Sequence, residues 1–326
     1  MGSTDEDGVE LGRIGESSSK EGDEPSSAPQ ASPSPGKKQR AKSRIELLAE
    51  KQAQLPKFQE KMYGPTTEEG VQQLVKTPGE LRTFLTSPVP KGMVWQAEIL
   101  HRHNIFGLSR MVLMIRIDTD EFQSRGSRTP VIFAWKKRKS GTLNYHFMLP
   151  DGSLISKLRE PEKGNFVLYD DGANPNNNKK SFGKAIRRQI GGCLITNIGA
   201  LEPIKMRGLF PKRAEGDTMA TPRGSTAGAD LDYLFHLVQN VDIDKAYFVD
   251  TTSSSYSKAT GRHTLHYEYS GNVERMASCH NFIMETRDKQ KTMQMGKFDK
   301  CQYLLDVHHP LTPLQALFLA ISHFNG

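Results

Sequence analysis

The sequence predicts a mainly β domain that encloses one buried α-helix, preceded by an N-terminal extension that is partly disordered and partly helical. Two observations lead to this prediction. Many short runs of β-branched and aromatic residues, separated by turn residues, lie between positions 94 and 307, which is typical of an antiparallel barrel or sandwich. One uniformly apolar segment of helical composition, residues 310–324, then follows them.

Residues 1–36 form an acidic segment rich in Ser, Gly and Pro. They hold eight acidic and two basic residues and few large apolar ones. Such a segment cannot bury enough apolar surface to offset the entropy lost on ordering, so we predict a disordered tail. It lacks the apolar core of a signal peptide. Glu6 stands where an N-myristoylation motif requires Ser or Thr, so lipidation is not expected.

Residues 37–62 are predicted to form a basic amphipathic helix, because a basic run at 37–44 leads into a stretch of strong helix formers. Ile45, Leu48, Gln52 and Leu55 lie close to one stripe of this helix. The stripe suits a partner-binding face or a membrane-surface helix, and it equally suits a half-frayed helix in water. Residues 63–89 are predicted to be a connector with a short helical piece at 77–85.

The β-rich part of the chain consists of short segments bounded by turn residues such as Pro150, Asp151 and Gly152. The predicted strands lie at residues 94–99, 111–117, 129–135, 144–149, 165–169, 184–190, 193–198, 246–250, 263–269, 280–286, 292–298 and 301–307. Residues 208–240 show no clear pattern, and their Gly- and Thr-rich part indicates a loop insertion.

The segment at 310–324 is apolar on every side of a helix. Leu314, Leu317, Phe318 and Ile321 occupy one face, while other Leu and Ala residues cover the rest. A helix of this kind is buried, and at about 20 Å it is too short to span a bilayer. An ordinary amphipathic helix would need a polar stripe, which only Gln315, Ser322 and His323 could supply. We therefore predict that the strands wrap around this helix.

The overall charge points to an anionic partner. The formal net charge is +7 and the excess of basic residues lies after residue 36, which favours nucleic acid, a phosphoinositide or an acidic protein. The three cysteines, Cys193, Cys279 and Cys301, are far apart and form no metal-binding spacing, so we expect reduced thiols and no metal site.

The sequence gives little support for catalysis. It contains no H-E-x-x-H, G-x-S-x-G or P-loop motif. The acidic pair Asp170-Asp171 belongs to a turn before Gly172 and not to a general acid/base dyad. We predict a binding protein that is not an enzyme, with no catalytic residues and no cofactor.

Several motifs, taken in order, resemble those of the Tubby-like protein family. The segment from Pro310 to Gly326 resembles the family's C-terminal signature, Pro-Leu-x-x-Leu-Gln-Ala-x-x-x-Ala-Ile-Ser-x-Phe-x-Gly. Earlier matches are the basic run 136–139 before Asn144-Tyr145, the Lys-Leu-Arg at 157–159, the Tyr-Asp-Asp-Gly-Ala-Asn-Pro at 169–175, the Pro-Ile-Lys-Met at 203–206, Asn281-Phe282 and the Met-Gly-Lys at 295–297. Such motifs are fairly specific in combination.

The chain also departs from the family's pattern. Asp171 stands where the family usually has Asn, residues 208–250 do not follow the pattern, and the sequence stops at Gly326 without the family's short Cys-containing tail. We therefore expect a divergent member.

The resemblance implies a fold and a function for residues 90–326. The fold is a closed antiparallel β-barrel of about twelve strands with a hydrophobic helix threaded through it. The function is binding of phosphatidylinositol 4,5-bisphosphate at the inner face of the plasma membrane by a cytoplasmic, peripheral adaptor. The resemblance further implies a link to protein trafficking into cilia or flagella, with the N-terminal helix binding the intraflagellar transport A complex.

The candidate phosphate site consists of five basic residues. Lys136, Lys137, Arg138 and Lys139 are consecutive cations after a predicted strand, and Arg159 follows the next hairpin. Convergent Lys and Arg suit a ligand with several phosphates. Alternate strand residues share a face, so Lys137 with Lys139, or Lys136 with Arg138, could point together. The same run could instead be a solvated turn, but in these positions the family uses the matching residues for phosphates.

Nucleic acid is the alternative partner, because a basic body and a basic arm at 37–44 also suit a phosphate backbone. This alternative depends on charge alone, since the sequence contains no helix-turn-helix, zinc-finger or RNP-type motif. It would place the protein in the nucleus. We expect a monomer in either case.

Overall fold

The computed structural model describes residues 61–103, 109–117, 127–137, 143–173, 187–197, 203–212, 246–257, 262–267 and 275–326. The helices within these ranges are α1 (Glu68–Lys76), α2 (Pro78–Thr86) and α3 (Pro313–Asn325). The strands are β1 (Val94–His103), β2 (Ser109–Ile117), β3 (Ser127–Lys137), β4 (Asn144–Met148), β5 (Leu154–Glu162), β6 (Asn165–Asp170), β7 (Gln189–Asn197), β8 (Lys205–Pro211), β9 (Ala246–Thr251), β10 (Ser255–Ser257), β11 (Arg262–Thr264), β12 (Phe282–Glu285), β13 (Lys291–Asp299) and β14 (Gln302–His308).

Twelve of these strands form a closed antiparallel barrel, which confirms the predicted fold. The order around the barrel is β1-β14-β13-β12-β9-β8-β7-β6-β5-β4-β3-β2. The first and last strands close it, with Trp95 opposite Val307 and Ala97 opposite Leu305. Closure removes the exposed sheet edge that would otherwise pair with another chain.

The strands form because their side chains alternate between two environments. In β3, Ile132 and Ala134 are fully buried, whereas Trp135 is 42% exposed. In β14, Tyr303, Leu305 and Val307 belong to the hydrophobic core. This period of two matches the alternation of side chains across a pleated sheet, with one set facing the barrel interior.

Helix α3 fills the barrel interior, and every residue from Pro313 to His323 is buried. The polar side chains that could have formed a solvent-facing stripe are enclosed as well. Gln315 donates from Nε2 to the Ile190 carbonyl at 3.3 Å, and Ser322 Oγ donates to the Phe318 carbonyl at 3.0 Å. The prediction of a helix enclosed by strands is therefore confirmed.

The helix begins at Pro313, three residues later than predicted. Thr312 is the N-cap: its hydroxyl accepts from the Gln315 backbone N–H at 3.1 Å, while Gln315 Oε1 accepts from the Thr312 backbone N–H at 3.1 Å. This reciprocal capping box fixes the first turn.

Glycines in β7 and β8 allow the sheet to approach the helix closely. A Cβ on Gly208 would lie 2.9 Å from Leu319 Cδ2 and 2.8 Å from Val249 Cγ2. A Cβ on Gly191 would lie 2.9 Å from Phe210 Cε1 of β8 and 3.4 Å from Phe318 Cε1 of the helix. These positions weaken the strand signal in the sequence while allowing close packing in the structure.

Several predicted strand boundaries were wrong. β5 and β8 were not predicted, because β5 mixes charged residues with Pro161 and β8 contains Gly208 and Pro211. The strand predicted at 184–190 begins instead at Gln189, and residues 184–186 lie outside the described ranges. The strand predicted at 263–269 is limited to β11, which pairs with β10 in a separate two-stranded sheet.

Described residues of the connection between β9 and β12 contact β13 and β14, since the Tyr267 hydroxyl donates to the Met295 carbonyl of β13 at 3.0 Å. Arg275 from this connection donates to Asp306 Oδ2 at 2.7 Å, and Asp306 also accepts from Gln96 and Gln294 at 2.8 and 2.7 Å. Asp306 is 1% exposed. A buried carboxylate needs such partners, because removing one would leave an uncompensated charge.

The predicted connector packs against the barrel through α1 and α2. Leu81 and Leu85 of α2 are fully buried, and Val89 donates its backbone N–H to the Leu311 carbonyl at 3.0 Å. Met62, the last residue of the predicted N-terminal helix, forms an isolated bridge with Val94. Residues 1–60 lie outside the described ranges.

His323, near the end of α3, makes stability depend on pH. Its ring is 1% exposed and stacks on Phe282 at 4.5 Å. Burial, with a smaller contribution from His280, lowers the pKa of His323 to about 3. Below about pH 6.5 the unfolded chain binds a proton here and the folded chain does not, so stability is lost as the pH falls from about 6.5 towards 3.

We expect the free energy of unfolding to decrease between pH 7 and pH 5, with His323 contributing a slope of up to about 1.4 kcal/mol per pH unit. His323→Phe removes the titrating group and keeps a ring against Phe282, so its slope should be shallower by this amount. Urea unfolding of both proteins across this range measures the difference. Parallel curves for the two proteins would contradict the assignment.

Candidate functional site

The barrel's register brings two of the predicted phosphate-binding residues together. Asn144 of β4 pairs with Lys137 of β3 on one side and with Arg159 of β5 on the other. Directly opposite residues of antiparallel strands point to the same face. Lys137, Asn144 and Arg159 therefore form one row across three strands.

A second row lies two residues further along each strand. It contains Trp135, His146, Lys157 and Tyr169, which pair in this order from β3 to β6. Because residues two apart in a strand share a face, both rows lie on the same side of the sheet. Lys137 is exposed and Trp135 is 42% exposed, so this side is the outer face of the barrel.

The other predicted cations are placed differently. Lys136 pairs with Tyr145, which pairs with Leu158, so Lys136 belongs to a row whose other two members are core residues. The Tyr145 hydroxyl lies 3.4 Å from Asn325 Oδ1 of the central helix. Arg138 and Lys139 lie outside the described residues, as do Ile45, Leu48, Gln52 and Leu55 of the predicted partner-binding helix.

The outer-face cations are close enough to influence one another. Partial burial lowers the pKa of His146, and the charges of Lys137, Lys157 and Arg159 lower it further. Partial burial also lowers the pKa of Lys157, together with Arg187 and Arg159. We call the cations Lys137, Lys157 and Arg159, together with His146, the cationic face; the lowered pKa of His146 leaves its imidazole neutral at pH 7.

Acidic residues beside the cationic face are paired with other arginines. Asp170 accepts from Arg188 Nε at 3.1 Å, and Asp171 accepts from Arg82 Nη1 at 2.9 Å. Within the part of the chain that the structure describes, no ion pair joins Lys137, Lys157 or Arg159 to a carboxylate. Asp170 and Asp171 attract Lys157 without forming an ion pair with it, so the face keeps a net positive charge, which suits an anionic ligand.

Sequence reasoning missed Asn144, His146 and Lys157 as members of this face. Lys157 lies two residues before Arg159, so the period of a strand could have placed both on one side. His146 and Asn144 gave no such signal, because their position depends on the pairing of β4 with both neighbours.

The described residues offer neither a metal site nor a membrane-spanning helix. No group of three His, Cys, Asp or Glu side chains in those ranges is placed to hold a metal ion. Of the helices in the described part, none is long and apolar enough to cross a membrane.

The fold and the site together define a class: a closed twelve-stranded barrel around a hydrophobic helix, with a cationic outer face. Comparison with known proteins gives the family. The sequence profile of the Tub family matches residues 85–326, which is most of the chain. The chain belongs to the Tub family.

Individual relatives are distant. The chain is 24% identical to human Tubby-related protein 1 over 264 residues, which cover 76% of this chain and 46% of the relative. It is 25% identical to Tubby protein homolog 1 of Caenorhabditis elegans over 224 residues, 64% of this chain and 51% of the relative. It is also 25% identical to mouse Tubby-related protein 3 over 280 residues, 81% of this chain and 58% of the relative. The chain thus spans about half the length of the curated relatives it matches.

We expect Lys157→Met to raise the free energy of unfolding by about 0.5 kcal/mol at low ionic strength. The substitution keeps an apolar stem and removes a partly buried charge, for which burial and the repulsion of Arg187 and Arg159 outweigh the attraction of Asp171 and Asp170. The gain should shrink in high salt, because salt screens the repulsion. Urea unfolding at two salt concentrations measures it.

The matched control is Lys300→Met, since Lys300 is an exposed lysine in the turn between β13 and β14. This variant should change stability little at either salt concentration. Destabilisation by Lys157→Met that does not depend on salt would show that Lys157 serves packing and not a charged surface.

Proposed function

We propose that this protein is a non-enzymatic adaptor that binds phosphatidylinositol 4,5-bisphosphate through the cationic face. The observation that carries the proposal is the convergence of Lys137, Lys157 and Arg159 on one outer face without ion pairs among the described residues. Membership of the Tub family supports it. The proposed location is the cytoplasmic side of the plasma membrane, with peripheral attachment.

The residue types of the face suit a bisphosphorylated head group. The Arg159 guanidinium can form two parallel hydrogen bonds with one phosphate, whereas Lys137 and Lys157 act as point charges. Asn144, between Lys137 and Arg159, is only 7% exposed, so the proposed contacts with the ligand come from the cations on either side of it. Arg138, the next residue after β3, is proposed to add a further cation.

We expect Lys137→Ala/Arg159→Ala to weaken binding to vesicles that contain the bisphosphate by about thirtyfold, since each cation near an anionic leaflet contributes about 1 kcal/mol. Adding Arg138→Ala should weaken binding further. Vesicle co-sedimentation with and without the bisphosphate measures the effect. A matched control is Lys91→Ala/Arg287→Ala. It removes one exposed Lys from the turn before β1 and one exposed Arg from the turn between β12 and β13.

Equal binding by the cationic-face variant and the control variant would overturn the assignment of the site. The same proteins tested with duplex and single-stranded DNA address the alternative partner. DNA binding that falls steeply with salt, with no binding to vesicles, would assign the cationic face to nucleic acid.

The adaptor part of the proposal concerns residues 37–62. We propose that Ile45, Leu48, Gln52 and Leu55 form a binding stripe for the intraflagellar transport A complex, which would link the barrel's membrane contact to trafficking into cilia or flagella. What supports this is the stripe itself, which lies next to a basic run, together with the family to which the chain belongs.

We expect a peptide of residues 37–62 to bind the purified transport complex and Leu48→Asp to weaken this binding by about tenfold or more, because a charge would replace an apolar anchor. Ala53→Asp adds the same charge away from the stripe and should bind nearly as well as the unchanged peptide. Fluorescence anisotropy of the labelled peptides measures both. Equal loss in the two variants would argue against a specific stripe.

A further inference from the structure

A cavity of about 360 Å³ lies on the outer surface of β2, β3 and β4, beside the cationic face. Its lining combines apolar and charged side chains. Phe133, Met148 and Pro150 are among the apolar residues, and Arg110 and Lys137 are the cations. The cationic face thus continues into an amphipathic concavity.

Trp135 also lines this cavity. Its side chain is 42% exposed, which is unusual for a residue of this size. The Arg110 guanidinium lies over its ring, 4.4 Å from the centroid. Arg110 and His146 are the residues opposite Trp135 on the neighbouring strands, so both flank it on the same face.

The position of Trp135 relative to the cations is fixed by the strand. Trp135 and Lys137 are two residues apart in β3 and share a face, so their Cα atoms are about 7 Å apart. A planar anionic surface that touches Lys137 therefore also meets Trp135. An indole with a polar N–H and an apolar body suits the boundary between lipid head groups and acyl chains.

We propose that Trp135 is an interfacial membrane anchor, which enters the glycerol and upper acyl region of an anionic bilayer while the cavity beside it receives part of a lipid chain. This inference depends on the proposed lipid-binding function and adds an apolar contact to it. Arg110 extends its charge along the indole towards the head groups, as basic side chains do at membrane interfaces. Trp135, Arg110 and the cationic face thereby orient the outer face of β2–β5 towards the membrane.

A bilayer suits this surface better than a nucleobase. Stacking of a base needs an open flat platform, whereas Arg110 already covers one face of the Trp135 ring. The neighbouring cavity is lined in part by Phe133, Met148 and Pro150, whose side chains match acyl chains and offer no hydrogen bonds to base edges. The cations that share its lining, Arg110 and Lys137, are complementary to an anionic leaflet.

The intrinsic fluorescence of Trp135 can test this inference. It contains two tryptophans, and the other one, Trp95, is 1% exposed in the core. Quenching of tryptophan fluorescence by brominated phosphatidylcholine therefore reports the depth of Trp135. Vesicles of this lipid with phosphatidylinositol 4,5-bisphosphate should quench strongly when bromine is near the glycerol end of the chain, and less when bromine is near the methyl end.

Substitution tests the energetic contribution. Trp135→Ala should weaken vesicle binding by about tenfold, equivalent to about 1.4 kcal/mol, and leave the affinity for soluble inositol trisphosphate unchanged. Trp135→Tyr should restore most of the vesicle affinity, because it keeps an interfacial aromatic ring. Met276→Ala is the matched control: Met276 is 51% exposed and apolar but lies outside this surface.

The outcomes separate this inference from the proposed function. Vesicle binding without quenching of Trp135, or Trp135→Ala binding vesicles as well as the unchanged protein, overturns the anchor and leaves the phosphate site standing. Absence of binding to any anionic vesicle overturns both. Quenching by single-stranded DNA but not by brominated vesicles overturns the anchor in favour of a nucleic-acid contact.

Discussion

Enclosure of α3 is the constraint on which the rest of this structure depends. A helix that is apolar on all sides must be covered on all sides, and an open sheet would leave part of it in water. The pairing of β1 with β14 closes the barrel and completes the cover. Each strand must then direct every second side chain towards the helix, so the inner face is fully used for packing and binding is restricted to the outer face.

The alternation of inward- and outward-facing residues in β3 illustrates this separation of packing from binding. Trp135 and Lys137 lie on the outer face, whereas Ala134 faces the core and Lys136 follows it in the inner row. A shift of one residue in register would exchange these sets and place the charge of Lys137 in the inner row. The packing of the core therefore determines which cations of the basic run can converge with Arg159.

Local patterns predicted the parts of the fold that are locally encoded. The helix, β3, β13 and β14 could be recognised because their apolar residues follow a helical or strand period over several positions. β8 could not, since Gly208 is required by the approach of Leu319, a residue more than one hundred positions away. In the candidate site, the basic run and Arg159 could be predicted from the sequence. His146 and Asn144 join the site only through the pairing of β4 with β3 and β5. The Arg275–Asp306 pair likewise depends on the long connection between β9 and β12, because no local pattern relates Arg275 to a residue thirty-one positions away.

The proposed membrane contact combines two forces that differ in range. The cations of the cationic face act over about 8 Å at physiological ionic strength and are weakened by salt. An inserted indole acts only on contact, but salt does not screen it. Attraction by charge alone would let the protein exchange readily between anionic surfaces, whereas an apolar contact requires a bilayer with accessible acyl chains. Trp135 beside Lys137 would therefore distinguish a phosphorylated membrane from other polyanions, which the charge of the cationic face alone cannot do.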